Sequence, residues 1–259
     1  MNIRTTSSAA ALRLLLLCAV WAGAPAWSAD QAATPSVSTA PAPRAVPDTM
    51  TERVAACVAC HGDQGRAASD GYYPRIAGKP EGYLYNQLVN FREGRRRNTT
   101  MNYLVANLPD AYLREIARHF AARNPPYPPP QPVAAGAAVL ARGQVLASTG
   151  DPARKLPACA SCHGSALTGV APAVPGLLGL PRDYLNAQIG AWQNRARSTL
   201  APDCMAQIAA RLTADDLGAV TAYLAAQPVP EHAAAAPAGS ASVKPPLECG
   251  SLAGSGGTP

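Results

Sequence analysis

The sequence predicts an all-α protein in which one helical fold is used twice, and three observations carry that expectation. The string Cys-x-x-Cys-His occurs at Cys57, Cys60 and His61 and again, 102 residues later, at Cys159, Cys162 and His163, each time followed by glycine, Gly62 and Gly164. The residues after each string repeat as well. Pro74 and Tyr83-Leu84 stand 17 and 26 residues beyond Cys57, and Pro175 and Tyr184-Leu185 stand 16 and 25 beyond Cys159, so one deletion accounts for both shifts. From Met101 onward the offset is constant at 104, pairing Met101 with Met205, Leu108 with Leu212, Leu113 with Leu217, Ile116 with Val220 and Phe120 with Leu224. Third, apolar residues recur at helical spacing in both halves, and no stretch shows strand alternation.

Taken in chain order, residues 1–28 read as a secretory signal peptide. Arg4 and Arg13 precede the apolar run 14–20, small residues follow at 22–26, and cleavage falls between Ala26 and Ala29. Arg13 and Pro25 bound the apolar run too closely for it to span ~30 Å of hydrocarbon. Cys18 follows the large Leu17, a poor fit to a lipid-attachment site. Residues 29–46 read as a disordered Pro/Ala-rich leader. The first domain covers 47–123, with a short helix near 51–57, a middle helix over 83–92 carrying Leu84, Leu88 and Phe91, and a last helix after Pro109-Asp110 with the stripe Leu113, Ile116, Ala117 and Phe120. Residues 124–132 form a Pro-rich linker. The second domain covers 133–227, with helices over 135–147 (Val139, Leu140, Leu146), over 184–195 (Leu185, Ile189, Trp192) and after Thr213 (Leu217, Val220, Leu224). The Ala/Pro/Gly-rich stretch 228–259 reads as a disordered tail.

Composition indicates that each domain needs help with its core. The hydrophobic fraction is 48%, but alanine dominates it and Phe91 and Phe120 are the only phenylalanines, so a protein-only interior is thin for this length. An apolar prosthetic group in each half supplies the missing bulk. Formal net charge is +6 and falls to +4 when Arg4 and Arg13 leave with the signal peptide, a weak case for nucleic acid, and none is expected as a partner.

The Cys-x-x-Cys-His string is the attachment signature of haem c. Two thiols three residues apart each form a thioether with a haem vinyl group, and the histidine directly after them lies under the iron. Paired cysteines also make half of a zinc ribbon, but zinc has no need of His61 and His163 at that position. Two haem c groups are therefore expected. The opposite axial ligands are expected to be Met101 and Met205, at equivalent places in the repeat in a chain with four methionines, because a thioether favours ferrous iron and suits a carrier. His119 aligns with Tyr223 and reads as a structural ring. Pro74 and Pro175 stand where a carbonyl could accept the second ring proton of each histidine; a plain loop proline is the other reading. The run 92–97, with Arg95, Arg96 and Arg97 consecutive, reads as a solvated helix end, with haem propionate contact or docking to an acidic partner as the sharper alternative. Cys204 and Cys249 either pair in an oxidising compartment or remain separate, Cys204 as a small core residue beside Met205.

The chain resembles the dihaem cytochromes c of the cytochrome c4 family, class I c-type domains in tandem, over nearly all of its mature length. The resemblance rests on Cys57-Val58-Ala59-Cys60-His61-Gly62, Pro74-Arg75-Ile76-Ala77-Gly78, Tyr83-Leu84 with Gln87-Leu88, Phe91-Arg92 with Gly94 and Arg96, and Met101, repeated less faithfully in the second half. It implies two tandem cytochrome c-like helical domains, each enclosing one covalently bound haem, with Pro74, Arg75 and Pro175 as haem contacts. It also implies a periplasmic electron carrier, not integral to the membrane once the signal is cleaved, that passes electrons from a quinol-oxidising complex or dehydrogenase to a terminal oxidase. Two other classes stay open: the haem subunit of a periplasmic dehydrogenase, and a dihaem enzyme such as a thiosulfate-oxidising cytochrome. The second half departs from the pattern in Val174-Pro175-Gly176-Leu177, which lacks an arginine at the place of Arg75, and in Cys204 beside Met205.

Overall fold

The computed structural model describes residues 47–68, 71–130, 132–239 and 246–253. The expected signal peptide, Cys18 and the leader lie outside the described residues. In the first half the chain runs through α1 (Met50–Arg53), α2 (Ala55–His61), a 3-10 turn, α3 (Glu81–Arg92), α4 (Thr99–Val105) and α5 (Asp110–Ala121). Thr49 caps α1 by accepting the Glu52 amide at 3.3 Å. The apolar stripe of α5 packs against α3, closing a core of Val54, Leu84, Tyr85, Phe91, Val105, Leu113, Ile116, Ala117 and Phe120.

The second half repeats the plan with α6 (Ala137–Ser148), α7 (Ala160–His163), α8 (Arg182–Gln193), α9 (Cys204–Ala209) and α10 (Ala214–Ala226). Here α6 and α10 cross at Gly143, where a Cβ would stand 2.2 Å from Ala219 O and 2.6 Å from Tyr223 Cβ. Only glycine lets the two backbones approach so closely. Thr213 and Asp216 form a reciprocal capping box at the start of α10. The core joins Leu146, Ala147, Leu156, Leu167, Leu178, Leu180, Leu185, Val220 and Leu224. Two antiparallel pairs, β1 (Gly150–Asp151) with β2 (Leu156–Pro157) and β3 (Gly169–Val170) with β4 (Val174–Pro175), edge the loops around α7. Two residues are too few to show alternation in sequence. No helix among the described residues is long and apolar enough to cross a membrane.

The halves meet through polar side chains at matching places in the repeat. Gln87 Oε1 accepts from Arg96 at 3.0 Å and from Arg197 at 2.9 Å, and Gln188 Oε1 accepts from Arg96 at 2.6 Å and from Arg197 at 2.8 Å. Arg96 and Arg197 also pair as an antiparallel backbone bridge, flanked by Arg97 N–H to Ala196 O (2.9 Å) and Ser198 N–H to Arg95 O (2.7 Å). The arginine run is therefore corrected: Arg95 and Arg96 are half-buried in this contact and only Arg97 is exposed. The linker is pinned rather than loose. Arg75 is buried, donates to Ala77 O (3.2 Å), Pro126 O (3.1 Å) and Pro125 O, and stacks on the Tyr127 ring at 3.8 Å.

A further correction concerns the tail, expected to be disordered. Among its described residues, Ala236 bonds Gly169 O (2.9 Å) and Ala171 N–H (2.8 Å), and a last helical turn, α11 (Gly250–Ala253), follows Cys249, which forms a disulfide with Cys204. Composition reports the cost of ordering such a segment but not the distant partners that offset it.

Candidate cofactor sites

Each attachment string lies on a short helix that ends at its histidine. Cys57, Cys60 and His61 are on α2, Cys162 and His163 are on α7, and Cys159 caps α7. The glycine that follows turns the chain away: Gly62 has φ +75° and Gly164 φ +84°, and a Cβ on Gly62 would meet Ala67 O at 2.4 Å. That turn carries the loop back under the imidazole. Pro74 O lies 2.9 Å from His61 Nδ1, and Pro175 O lies 2.7 Å from His163 Nδ1.

Both histidines are buried, and burial pushes their pKa values down. The proline carbonyls act the other way, while the charges of Arg96 and Lys79 add to the lowering at His61 and His163 respectively. A neutral ring that donates through Nδ1 keeps its lone pair on Nε2, the form a metal ion takes. Burial raises the Cys57 and Cys162 thiols and pushes Cys159 up to about 11. Among the described residues no three His, Cys, Asp or Glu side chains converge as a metal site.

Met101 lies in α4, half-buried and packed onto the first core, and its N–H is held by Asn98 Oδ1 at 3.0 Å. Met205 is half-buried in α9, which packs on α8. Arg75 spends its guanidinium on the linker, as described above, although its neighbour Pro74 serves His61 directly. His119 is half-buried, with its ring against Phe120 and Arg123.

Several residues here escape sequence reading. Lys79 is buried and donates to Gly176 O at 3.1 Å, next to the carbonyl that holds His163. Gln87 and Gln188 were readable as a repeat pair, 101 residues apart, but not as an interface. The arginines between them point to an acidic group. Arg197 is 5% exposed, its Nε has no partner, and among the described residues no carboxylate pairs with it or with Arg96. Free paired thiols, a buried imidazole oriented by a carbonyl, and guanidiniums that meet only neutral acceptors, with Arg197 Nε left unpaired, fit haem, whose propionates would answer the arginines.

No protein-family model matches the chain. It is 39% identical over 176 residues to a thiosulfate dehydrogenase electron acceptor of Thiomonas intermedia, covering 68% of this chain and 80% of that protein. To a cytochrome c4 of Pseudomonas aeruginosa it is 32% identical over 177 residues, covering 66% and 84%. Among solved structures it is similar to reduced recombinant cytochrome c4 from Pseudomonas stutzeri (TM-score 0.59, 27% identity, 70% of this chain and 99% of that one). It is also similar to the thiosulfate dehydrogenase TsdBA of Marichromatium purpuratum (TM-score 0.60, 34% identity), where it matches 66% of its own length and spans 36% of that chain.

Proposed function

The chain belongs to the cytochrome c4 family of electron-carrying c-type cytochromes, and on that premise we propose that it holds two haem c groups and accepts electrons from a thiosulfate dehydrogenase. One group belongs to a domain over 47–123 and the other to a domain over 133–227, in a periplasmic protein freed of its signal peptide. Haem c supplies a one-electron iron couple at each site. Cys57 and Cys60, and Cys159 and Cys162, anchor the groups as thioethers. His61 and His163 ligate through Nε2, held in orientation by the carbonyls of Pro74 and Pro175. Met101 and Met205 would be the second protein ligands.

The observation that carries this reading is the duplication itself: both histidines are buried and bonded through Nδ1 to the equivalent proline carbonyl, at 2.9 and 2.7 Å. With a histidine and a methionine holding each group, no position would be left for a substrate to coordinate, so we read the protein as a carrier and not an enzyme. The donor follows from the relatives named thiosulfate dehydrogenase electron acceptor, at 39% and 36% identity, against 27–32% for those named cytochrome c4. Joining two thiosulfate ions through a sulfur–sulfur bond releases two electrons, the number two haems can take up. A terminal oxidase is the acceptor in this scheme.

Anaerobic mixing of oxidised holoprotein with thiosulfate dehydrogenase and thiosulfate is expected to reduce both haems, two electron equivalents per chain. No reduction by this donor, with full reduction by a quinol-oxidising complex, would overturn the donor assignment. Turnover of thiosulfate by the protein alone, with an artificial acceptor, would overturn the carrier reading.

A further inference from the structure

The two methionine helices are secured by different means. In the first half Asn98 Oδ1 accepts the Met101 amide at 3.0 Å, Asn102 Oδ1 accepts the Asn98 amide at 2.7 Å, and Asn102 Nδ2 donates to Arg96 O at 3.0 Å and to Phe91 O. Met101 thus sits in a lattice of side-chain amides that ties α4 to the end of α3. Counting outward from the paired methionines, Asn98 gives way to Pro202 and Asn102 to Ala206, so the second half has neither amide. Asp203 restores part of the hold by capping α9 through the Ala206 amide (3.0 Å) and accepting from Thr199 N–H (2.8 Å) and Trp192 Nε1 (3.3 Å).

The rest of the hold comes from the tail. Cys204, the first residue of α9 and the neighbour of Met205, is bonded to Cys249, 45 residues further on. The far side of that bond is fastened to both halves. Gly250 N–H donates to Pro202 O at 2.9 Å in the second, and Asn86 of α3 donates through Nδ2 to Ser251 O at 2.9 Å in the first. A helix of six residues has little cooperativity of its own, so restraint at its first residue passes directly to the second.

We propose that the Cys204–Cys249 disulfide and its strap are the positioning device for Met205, doing for the second site what Asn98 and Asn102 do for the first. The inference rests on the reading of Met205 as an iron ligand. Opening the disulfide frees α9 to leave the iron, while Met101 keeps its own amide lattice.

The test compares oxidised holoprotein with the double variant Cys204→Ser/Cys249→Ser and, in case the variant does not fold, with wild type whose disulfide has been opened by dithiothreitol, its freed thiols alkylated and its haem iron reoxidised with ferricyanide. Displacement of methionine by added imidazole is followed through loss of the methionine–iron charge-transfer band. The phase belonging to the second site is the one missing from Met205→Ala. Opening the disulfide is expected to speed that phase at least about tenfold, below the roughly thirtyfold at the low end of what a cross-link is typically worth, and to leave the first-site phase unchanged. Unchanged rates at both sites, or equal acceleration at both, would overturn the inference while Met205→Ala still lacks its band. If Met205→Ala keeps both bands, the ligand reading fails and the inference falls with it.

Discussion

Replacing Lys79 by methionine is expected to change the stability of the protein in a way that reverses with pH. The Lys79 amine is 5% exposed, with Gly176 O at 3.1 Å, and among the described residues no carboxylate pairs with it. Burial, reinforced by the charge of Arg75, pushes its pKa from 10.5 down to about 8. The unfolded chain then holds this proton more tightly than the folded one, so charged Lys79 opposes folding fully below pH 8, and that opposition fades as pH rises towards 10.5. At about 1.4 kcal/mol per unit of pKa, the full effect is about 3 kcal/mol. Methionine keeps the apolar stem and removes the charge, but it leaves the buried Gly176 carbonyl without its donor, at a cost of about 1–3 kcal/mol. Near pH 7 Lys79→Met should therefore match wild type or exceed it by up to about 2 kcal/mol. Above pH 10.5 it should be the less stable protein. Guanidinium unfolding of both holoproteins, followed by far-ultraviolet circular dichroism from pH 7 to pH 11, measures the difference directly. A difference that stays constant across this range would show that the amine titrates as a solvated lysine, and the reasoning would fail.

Other substitutions test other parts of the molecule. Met101→Ala and Met205→Ala should each remove one of two methionine–iron charge-transfer bands and lower the potential of that haem, as seen by spectroelectrochemical titration; an unchanged spectrum in either would displace that residue as ligand. Gly143→Ala should destabilise the second half by about 1–3 kcal/mol, because its Cβ would enter the Ala219 backbone; an unfolding midpoint equal to wild type would mean that α6 and α10 can separate cheaply. Burial pushes the Asp216 carboxyl up, but hydrogen bonds from Arg154, Arg142 and Thr213 outweigh it and hold the group well below its ordinary 3.8. Its contribution is complete above that value and is lost as pH falls, so Asp216→Asn should flatten the acid limb of the stability curve and cost about 2 kcal/mol at pH 7, since both arginines are partly solvated. An acid limb as steep as that of wild type would remove Asp216 from the account.

The parts of the fold that repeat were legible because repetition is evidence of its own. The amphipathic α5 shows its stripe, α10 shows Leu217, Val220 and Leu224 at helical spacing, and the paired methionines stand out by position. The helices that hold those methionines are another matter. With seven and six residues, α4 and α9 complete too few turns to show a period, and only the caps Asn98 and Asp203 mark them. Arg96 in a run of three arginines reads as a solvated charge because nothing local says that Gln188, 92 residues away, accepts from it. Lys79 escapes for the same reason, since a lysine between glycine and proline gives no sign that a second domain will cover it. The tail reading failed on composition: Pro, Ala and Gly predict a segment costly to order, and one covalent bond from Cys249 meets that cost from outside the segment.

The interface between the halves shows why duplication alone does not make the two sites equivalent. Arg96 and Arg197 each donate to both glutamines, so turning one half against the other breaks bonds to both guanidiniums at once, and Arg197 is too deeply buried for water to replace them. Removing either acceptor would leave a buried charge with fewer partners, an outcome far more costly than losing a surface pair. The halves are thereby held in one relation by side chains that the repeat supplies in matched copies. The charges set around the two histidines are not matched. Half-buried Arg96, shared between two amides, bears on His61, whereas fully covered Lys79, with one carbonyl, bears on His163. A charge with little solvent around it acts through a lower effective dielectric. One histidine–carbonyl geometry used twice is therefore placed in two different fields, and the unmatched residues Lys79, Cys204 and Cys249 are the ones that separate the second half from the first.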